Sequence, residues 1–153
     1  MTQLSNRISS VDRTLLLLGD RWIYLILGEA FFGVHGYDEF QSRLGIATNI
    51  LSNRLKKLVK HGIMEKEKNP KDGRRFIYRL TKKGLNLYPI PLAMMSWGDR
   101  WLSGTDGPPL ILHHKSCGKS FQPVMCCSEC GEAINARDVS FTYTLGAHKT
   151  SKR

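Results

Sequence analysis

Two short loops near the C-terminal end of the chain hold the residues best suited to grip a metal. They are His114-Lys115-Ser116-Cys117-Gly118 and Cys127-Ser128-Glu129-Cys130-Gly131. Ligands three residues apart on a tight loop can meet one ion, and two such loops supply the four that close a structural zinc site. Imidazole and thiolate are donors that zinc favours. His114, Cys117, Cys127 and Cys130 are therefore the expected ligands, with His113 and Cys126 as alternates. The interval between the loops is short for a zinc ribbon, and all four cysteines lie between positions 117 and 130. A second chemistry stays open: in a reducing compartment these are buried thiols or a redox switch.

A different kind of chemistry lies in residues 45–62, GIATNILSNRLKKLVKHG. At about 100° per residue, Leu51, Leu55, Leu58 and Val59 share one face, able to pack on a core. Asn49, Asn53, Lys56, Lys57 and Lys60 hold the opposite face, and Ile50 also lies off the core side. Asn matches an adenine edge with two hydrogen bonds, and Lys reaches guanine or phosphate. Thr48, Asn49, Ser52, Asn53 and Lys56 are the candidate base readers. Taken alone, a basic helix face is equally a solvated one.

The stretch after the helix favours the reading of DNA. Gly62 ends the helix, residues 63–68 begin apolar and finish with alternating charge, Asn69-Pro70-Lys71-Asp72-Gly73 is a turn by composition, and residues 75–80 return as a second strand. A hairpin directly after a helix-turn-helix is a wing. Arg54, Lys57, Lys60, Lys68, Lys71, Arg74 and Arg75 are the candidate contacts to the sugar-phosphate backbone. The formal net charge is +10, and from Arg54 to Lys83 twelve basic residues oppose three acidic ones, a local excess of nine. Such a concentration is the footprint expected of a phosphate-binding surface.

The elements that must position these groups can be read in order. Ser10 is placed to cap a helix over residues 11–18, closed by Gly19. Asp20 is placed to cap a second helix reaching Phe32, nearly all core. Asp38 and Gln41 resemble a capping box for a short helix over residues 39–44, the first of the helix-turn-helix. Thr81 is placed to cap a long final helix, interrupted or bent at Pro89 and Pro91. That helix carries more apolar surface than a small winged domain covers, so Leu92, Met95, Trp97 and Trp101 are expected at a subunit interface. His35 and His61 stand at element boundaries with no partner acid or nucleophile near in sequence, and are not read as catalytic.

The expected fold class is α+β, mainly α: a winged helix-turn-helix with a long C-terminal dimerisation helix and a small Cys-bearing, zinc-ribbon-like appendage. The expected divisions are a DNA-binding and dimerisation domain over 1–102, a linker over 103–109, the Cys/His appendage over 110–147 and a basic tail over 148–153. No run is long enough to span a bilayer and the N-terminus lacks a signal-peptide pattern, so a cytoplasmic protein with no membrane partner is expected.

The chain resembles the HxlR-type winged helix-turn-helix transcriptional regulators, bacterial relatives of the MarR group. The resemblance rests on Leu17-Leu18-Gly19-Asp20-Arg21-Trp22, Leu51-Ser52-Asn53-Arg54-Leu55-x-x-Leu58, Gly62-Ile63-Met64-Glu65-Lys66, Tyr78-Arg79-Leu80-Thr81-x-x-Gly84 and Trp97-Gly98. It implies a homodimer on a pseudo-palindromic operator, and an effector that in some members is a small molecule or an oxidant. Where some members place a sensing cysteine near the N-terminus, this chain has Ser9. Where a basic residue often precedes the first helix of the motif, it has Gly36. Ala47 occupies the usual Ser or Thr cap of the reading helix, a role Thr48 is then expected to take. The leading function is sequence-specific binding of double-stranded DNA in transcription regulation, without enzymatic activity; the alternative is a zinc-ribbon RNA-binding or protein-adaptor module. No phosphate-cradling glycine loop, nucleophile elbow or paired-carboxylate spacing supports an enzyme.

Overall fold

Apolar residues at helical spacing become six helices in the computed structural model, which describes residues 9–142. They are α1 (Ser10–Leu18), α2 (Arg21–Phe31), α3 (Tyr37–Leu44), α4 (Thr48–Lys60), α5 (Lys82–Leu85) and α6 (Pro89–Leu102), with a 3-10 turn over Gly104–Asp106. Between α4 and α5 stand two antiparallel strands, β1 (Met64–Asn69) and β2 (Asp72–Leu80). The result is mixed α and β, mostly helical, with one two-stranded sheet. Among the described residues, contacts divide the chain into two compact units, residues 21–123 and residues 9–20 with 124–142.

In the first unit one core joins the helix-turn-helix to the wing. Ile23, Ile26 and Leu27 of α2, Phe40 of α3, Leu51, Leu55 and Leu58 of α4, Met64 of β1 and Ile77 of β2 are all buried. Val34, Ile46 and Ile63 fill the connections. Burying a Leu, Ile or Phe side chain stabilises by about 1.5–3 kcal/mol, so the three leucines of α4 fix that helix firmly against α2 and α3. The wing gains a third partner from the segment before α3: Tyr78 N–H donates to His35 O at 2.8 Å and Gly36 pairs with Ile77.

Helix ends depart from expectation in instructive ways. Ser9, not Ser10, caps α1, its hydroxyl accepting from Asp12 N–H at 2.9 Å. The second helix stops at Phe31, one residue early, ahead of Gly33 at φ 91°. The capping box at Asp38 does not form, because α3 already begins at Tyr37 with Gly36 as N-cap and no side-chain cap. Ala47 remains the N-cap of α4 with no side-chain cap, and Thr48 is the first helical residue instead. At its other end α4 matches the expectation: Gly62 takes φ 67°, which lets Gly62 N–H reach Val59 O and Ile63 N–H reach Leu58 O.

The turn of the wing is shorter than composition suggests. Asn69 pairs with Asp72, leaving Pro70 and Lys71 as the loop and Gly73 inside β2. Asn69 Oδ1 accepts from Lys71 N–H and Asp72 Oδ1 from Arg74 N–H, so these two side chains fasten the turn. The long helix after Thr81 is two helices. Pro89 and Pro91 have no N–H to give to the carbonyls of Leu85 and Leu87; Tyr88 and Ile90 N–H take those carbonyls in tighter bonds, and α6 restarts with Pro89 in its first turn.

Candidate nucleic-acid interface

The polar face of α4 is presented as its spacing predicts. Thr48, Asn49, Asn53, Lys56 and Lys60 are exposed, while Ser52, Arg54 and Lys57 are half-buried. The helix is held at both ends by side chains from elsewhere. Tyr37, at the start of α3, donates its phenolic hydrogen to Thr48 O at 2.9 Å and lies 2.9 Å from Ser52 Oγ. A phenol has one hydrogen, so Ser52 must donate its own to Tyr37. Ser52 thus spends its donor inside the protein and faces a ligand only as an acceptor. At the C-terminal end Lys83 Nζ donates to His61 O at 2.8 Å, where a cation offsets the helix dipole.

The junction between α4, the wing and α5 is built around Thr81 and Gly84. Thr81 Oγ1 donates to Gly62 O at 2.6 Å and accepts from Gly84 N–H at 3.1 Å. Gly84 is buried with its Cα against the Ile63 carbonyl, and a Cβ there would collide with that oxygen. Tyr78 is half-buried on the wing, and burial first, then the neighbouring Tyr37, raises its phenol above the usual range.

On the wing, Lys68, Lys71 and Arg74 are exposed around the turn. Arg75 is engaged within the protein: its guanidinium reaches Asp38 Oδ2 at 3.0 Å and Asp72 Oδ2 at 3.3 Å. The first pair ties the wing to α3. Neither pair is deeply buried, so each is worth no more than about 1 kcal/mol. Lys66 Nζ sits 4.0 Å from the centre of the Phe76 ring. Tyr37, Lys83 and the Arg75–Asp38 pair escaped the sequence reading, which works along one element at a time and does not see a side chain reaching from one element to another.

Of the residues expected at a subunit interface, Leu92 and Met95 are half-buried, and Trp97 and Trp101 are 59% and 64% exposed. The expected metal ligands fall in two loops, one in each unit. His114 Nδ1 and Cys117 Sγ are 3.6 Å apart. In the second loop, backbone N–H groups of Cys130 and Glu129, then the Cys130 side chain, hold the Cys127 thiol below its usual range. His113 pairs with Ser120 and Cys126 with Ala133 in isolated bridges. Among the described residues no three His, Cys, Asp or Glu side chains gather as a metal-holding group. The expected basic tail, 148–153, lies outside the described residues.

Comparison with known proteins agrees with this geometry. An HTH-type transcriptional regulator of Mycobacterium tuberculosis, Rv3095, described as uncharacterised, is 42% identical over 92% of this chain and 90% of its own length. The crystal structure of PA1607, described as a putative transcription factor, superposes with a TM-score of 0.80 at 33% identity, covering 93% of this chain and 97% of that one. The reduced form of the redox regulator HypR superposes with a TM-score of 0.55 at 29% identity over 60% of this chain and 92% of its own. The HxlR-like helix-turn-helix model matches residues 17–106. The chain is a DNA-binding transcriptional regulator and belongs to the HxlR-like helix-turn-helix family.

Proposed function

We propose that this regulator binds a pseudo-palindromic operator as a homodimer, reading bases through Asn49, Asn53 and Lys56 and holding phosphates through Lys57, Lys60, Lys68, Lys71 and Arg74. The observation that supports it is the exposed Asn and Lys face of a helix fastened at both ends, with a cationic wing tip on the same unit. Fastening matters because a base edge is read only by side chains whose backbone is already in register. Thr48 contributes at the start of the helix, and Ser52 as an acceptor. Arg54 and Arg75 are secondary backbone contacts, since Arg54 has its Nε buried and Arg75 shares its charge with Asp38 and Asp72.

Dimerisation is assigned to α6, which has no buried residue and exposes Met94, Trp97, Trp101 and Leu102. Large apolar side chains gathered on one element mark an association surface, and a two-fold pair places two reading helices for adjacent half-sites. The same reading keeps residues 1–102 as the DNA-binding and dimerisation domain, 103–109 as linker, 110–147 as the Cys/His appendage and 148–153 as a basic tail. The protein acts in the cytoplasm, by binding and not by catalysis. A redox or small-molecule effector is in keeping with HypR, a redox regulator. Binding to the promoter beside its own gene, measured by gel shift and by sedimentation of the complex, tests the proposal. Two chains per site and a loss of binding on scrambling the inverted repeat are expected; one chain per site, or equal binding to scrambled DNA, contradicts it.

A further inference from the structure

A cleft of about 530 Å³ opens between α6 and the chain over 108–123, both within the unit formed by residues 21–123. That volume lies in the range of small-molecule sites. Ser96, Asp99 and Arg100 line it from α6, and Leu110, Leu112 and Phe121 line it from the other side. The second wall is held in shape by its own backbone, Phe121 N–H donating to Leu112 O at 3.0 Å and His113 pairing with Ser120. At about 100° per residue, Ser96, Asp99 and Arg100 share one side of α6, while Met94, Trp97 and Trp101 share the other. Met95 stands at the edge between them and touches the cleft. Two chains paired through the tryptophans therefore leave the cleft open.

The charges in the cleft define the chemistry of its occupant. Asp99 and Arg100 are successive residues of one helix, and side chains so placed do not face each other. Among the described residues no hydrogen bond or ion pair engages either of them. The Asp99 side is half-buried, where a carboxylate without a partner is costly. The Arg100 guanidinium lies 5.3 Å from the centre of the Trp101 ring, a cation–π contact that is no substitute for hydrogen bonds to its N–H donors. One free anion and one free cation thus stand beside an apolar wall.

We propose that this cleft binds an α-amino acid with an apolar side chain, its ammonium on Asp99, its carboxylate on Arg100 and its side chain against Leu110, Leu112 and Phe121. A simple organic acid would bring its charge against Asp99, and a simple amine would bring its charge against Arg100. The zwitterion meets an opposite charge at both. The site names the class of small-molecule effector, and in that role it rests on the operator-binding reading above.

Binding is measured first on the full chain without DNA. Calorimetry with L-phenylalanine and L-leucine is expected to find one site per chain. Phenylpropanoate, which lacks the ammonium, and phenylethylamine, which lacks the carboxylate, should each bind at least about tenfold more weakly than phenylalanine, the usual worth of a charge-assisted hydrogen bond. This comparison changes the ligand alone, so it stands even where a variant misfolds. Asp99→Asn and Arg100→Gln should each weaken phenylalanine by a similar factor, and Ser96→Phe, which fills the cleft, should abolish binding. No binding of either amino acid at millimolar concentration, an analogue that binds as well as phenylalanine, or unchanged affinity in Asp99→Asn would overturn the site. Gel shifts with and without the amino acid then test the effector role: operator affinity should change in the wild type and not in Ser96→Phe, and an unchanged wild type would overturn that role. A chain that fails on the operator with no amino acid present counts against the operator reading, and the calorimetry stands apart from it.

Discussion

Tyr37→Phe keeps the ring and deletes the hydroxyl that holds Thr48 O and Ser52. Two hydrogen bonds at about 0.5–1.5 kcal/mol each are lost, so denaturant unfolding should show a protein weaker by roughly 1–3 kcal/mol, and operator affinity should fall although Tyr37 belongs to the preceding helix. A mutant with unchanged operator affinity would show that the clamp is not needed for reading. The base readers and the phosphate holders should fail differently. Asn53→Ala is expected to cost roughly 1–3 kcal/mol at one operator position and relax preference there. Arg74→Ala should weaken all DNA alike and flatten the salt dependence by about one counterion per protomer. Anisotropy titrations on operator and scrambled duplexes at two salt concentrations separate the two. Asn49, Asn53 and Lys56 were legible because their exposure is set by the position of Leu51, Leu55 and Leu58 on the same helix. The spent hydrogen of Ser52 was not, since it depends on a phenol fifteen residues away.

At the level of elements, helix existence could be read from apolar spacing, whereas helix ends were decided by single backbone groups. The α3 start at Tyr37 and the uncapped Ala47 show this, because tertiary packing of Phe40 and Leu51 fixes both helices whatever stands at the cap. Pattern also hid the pairing of Gly36 with Ile77, where one bridge is too short to leave a period of two. The α5–α6 break was half legible: the prolines announced an interruption, and their missing N–H groups set it before Pro89. For α6 the expected outcome is specific. Met95→Glu should separate subunits in a sedimentation experiment while circular dichroism of the winged domain is preserved. A mutant that stays dimeric would move the seam to another element.

On the scale of the molecule, the positive charge and the core are kept apart: the cations ride on α4 and the wing, and the apolar interior beneath them carries no buried polar or charged residue among the described residues. The hydrophobic pattern and the charge density both survive in one dimension, which is why the winged architecture could be read directly. The tight backbone contact at Gly84 could not be read from pattern, although the motif containing it was recognisable. Gly84→Ala should cost about 1–3 kcal/mol, the usual penalty of overpacking, measured as a drop in the denaturation midpoint with no change in operator preference. A midpoint left unmoved would mean that the Ile63 carbonyl can yield. The seat of Gly84 on that carbonyl bears on how such regulators diversify. The signature Tyr78-Arg79-Leu80-Thr81-x-x-Gly84 is a joint between the wing and α5, bound by geometry to the backbone of Ile63 and Gly62. The exposed Asn49, Asn53 and Lys56 answer to no such joint. On the proposed assignment of base readers, operator preference can therefore change through a few surface residues that the joint does not constrain, while the motif that carries the family likeness stays in place.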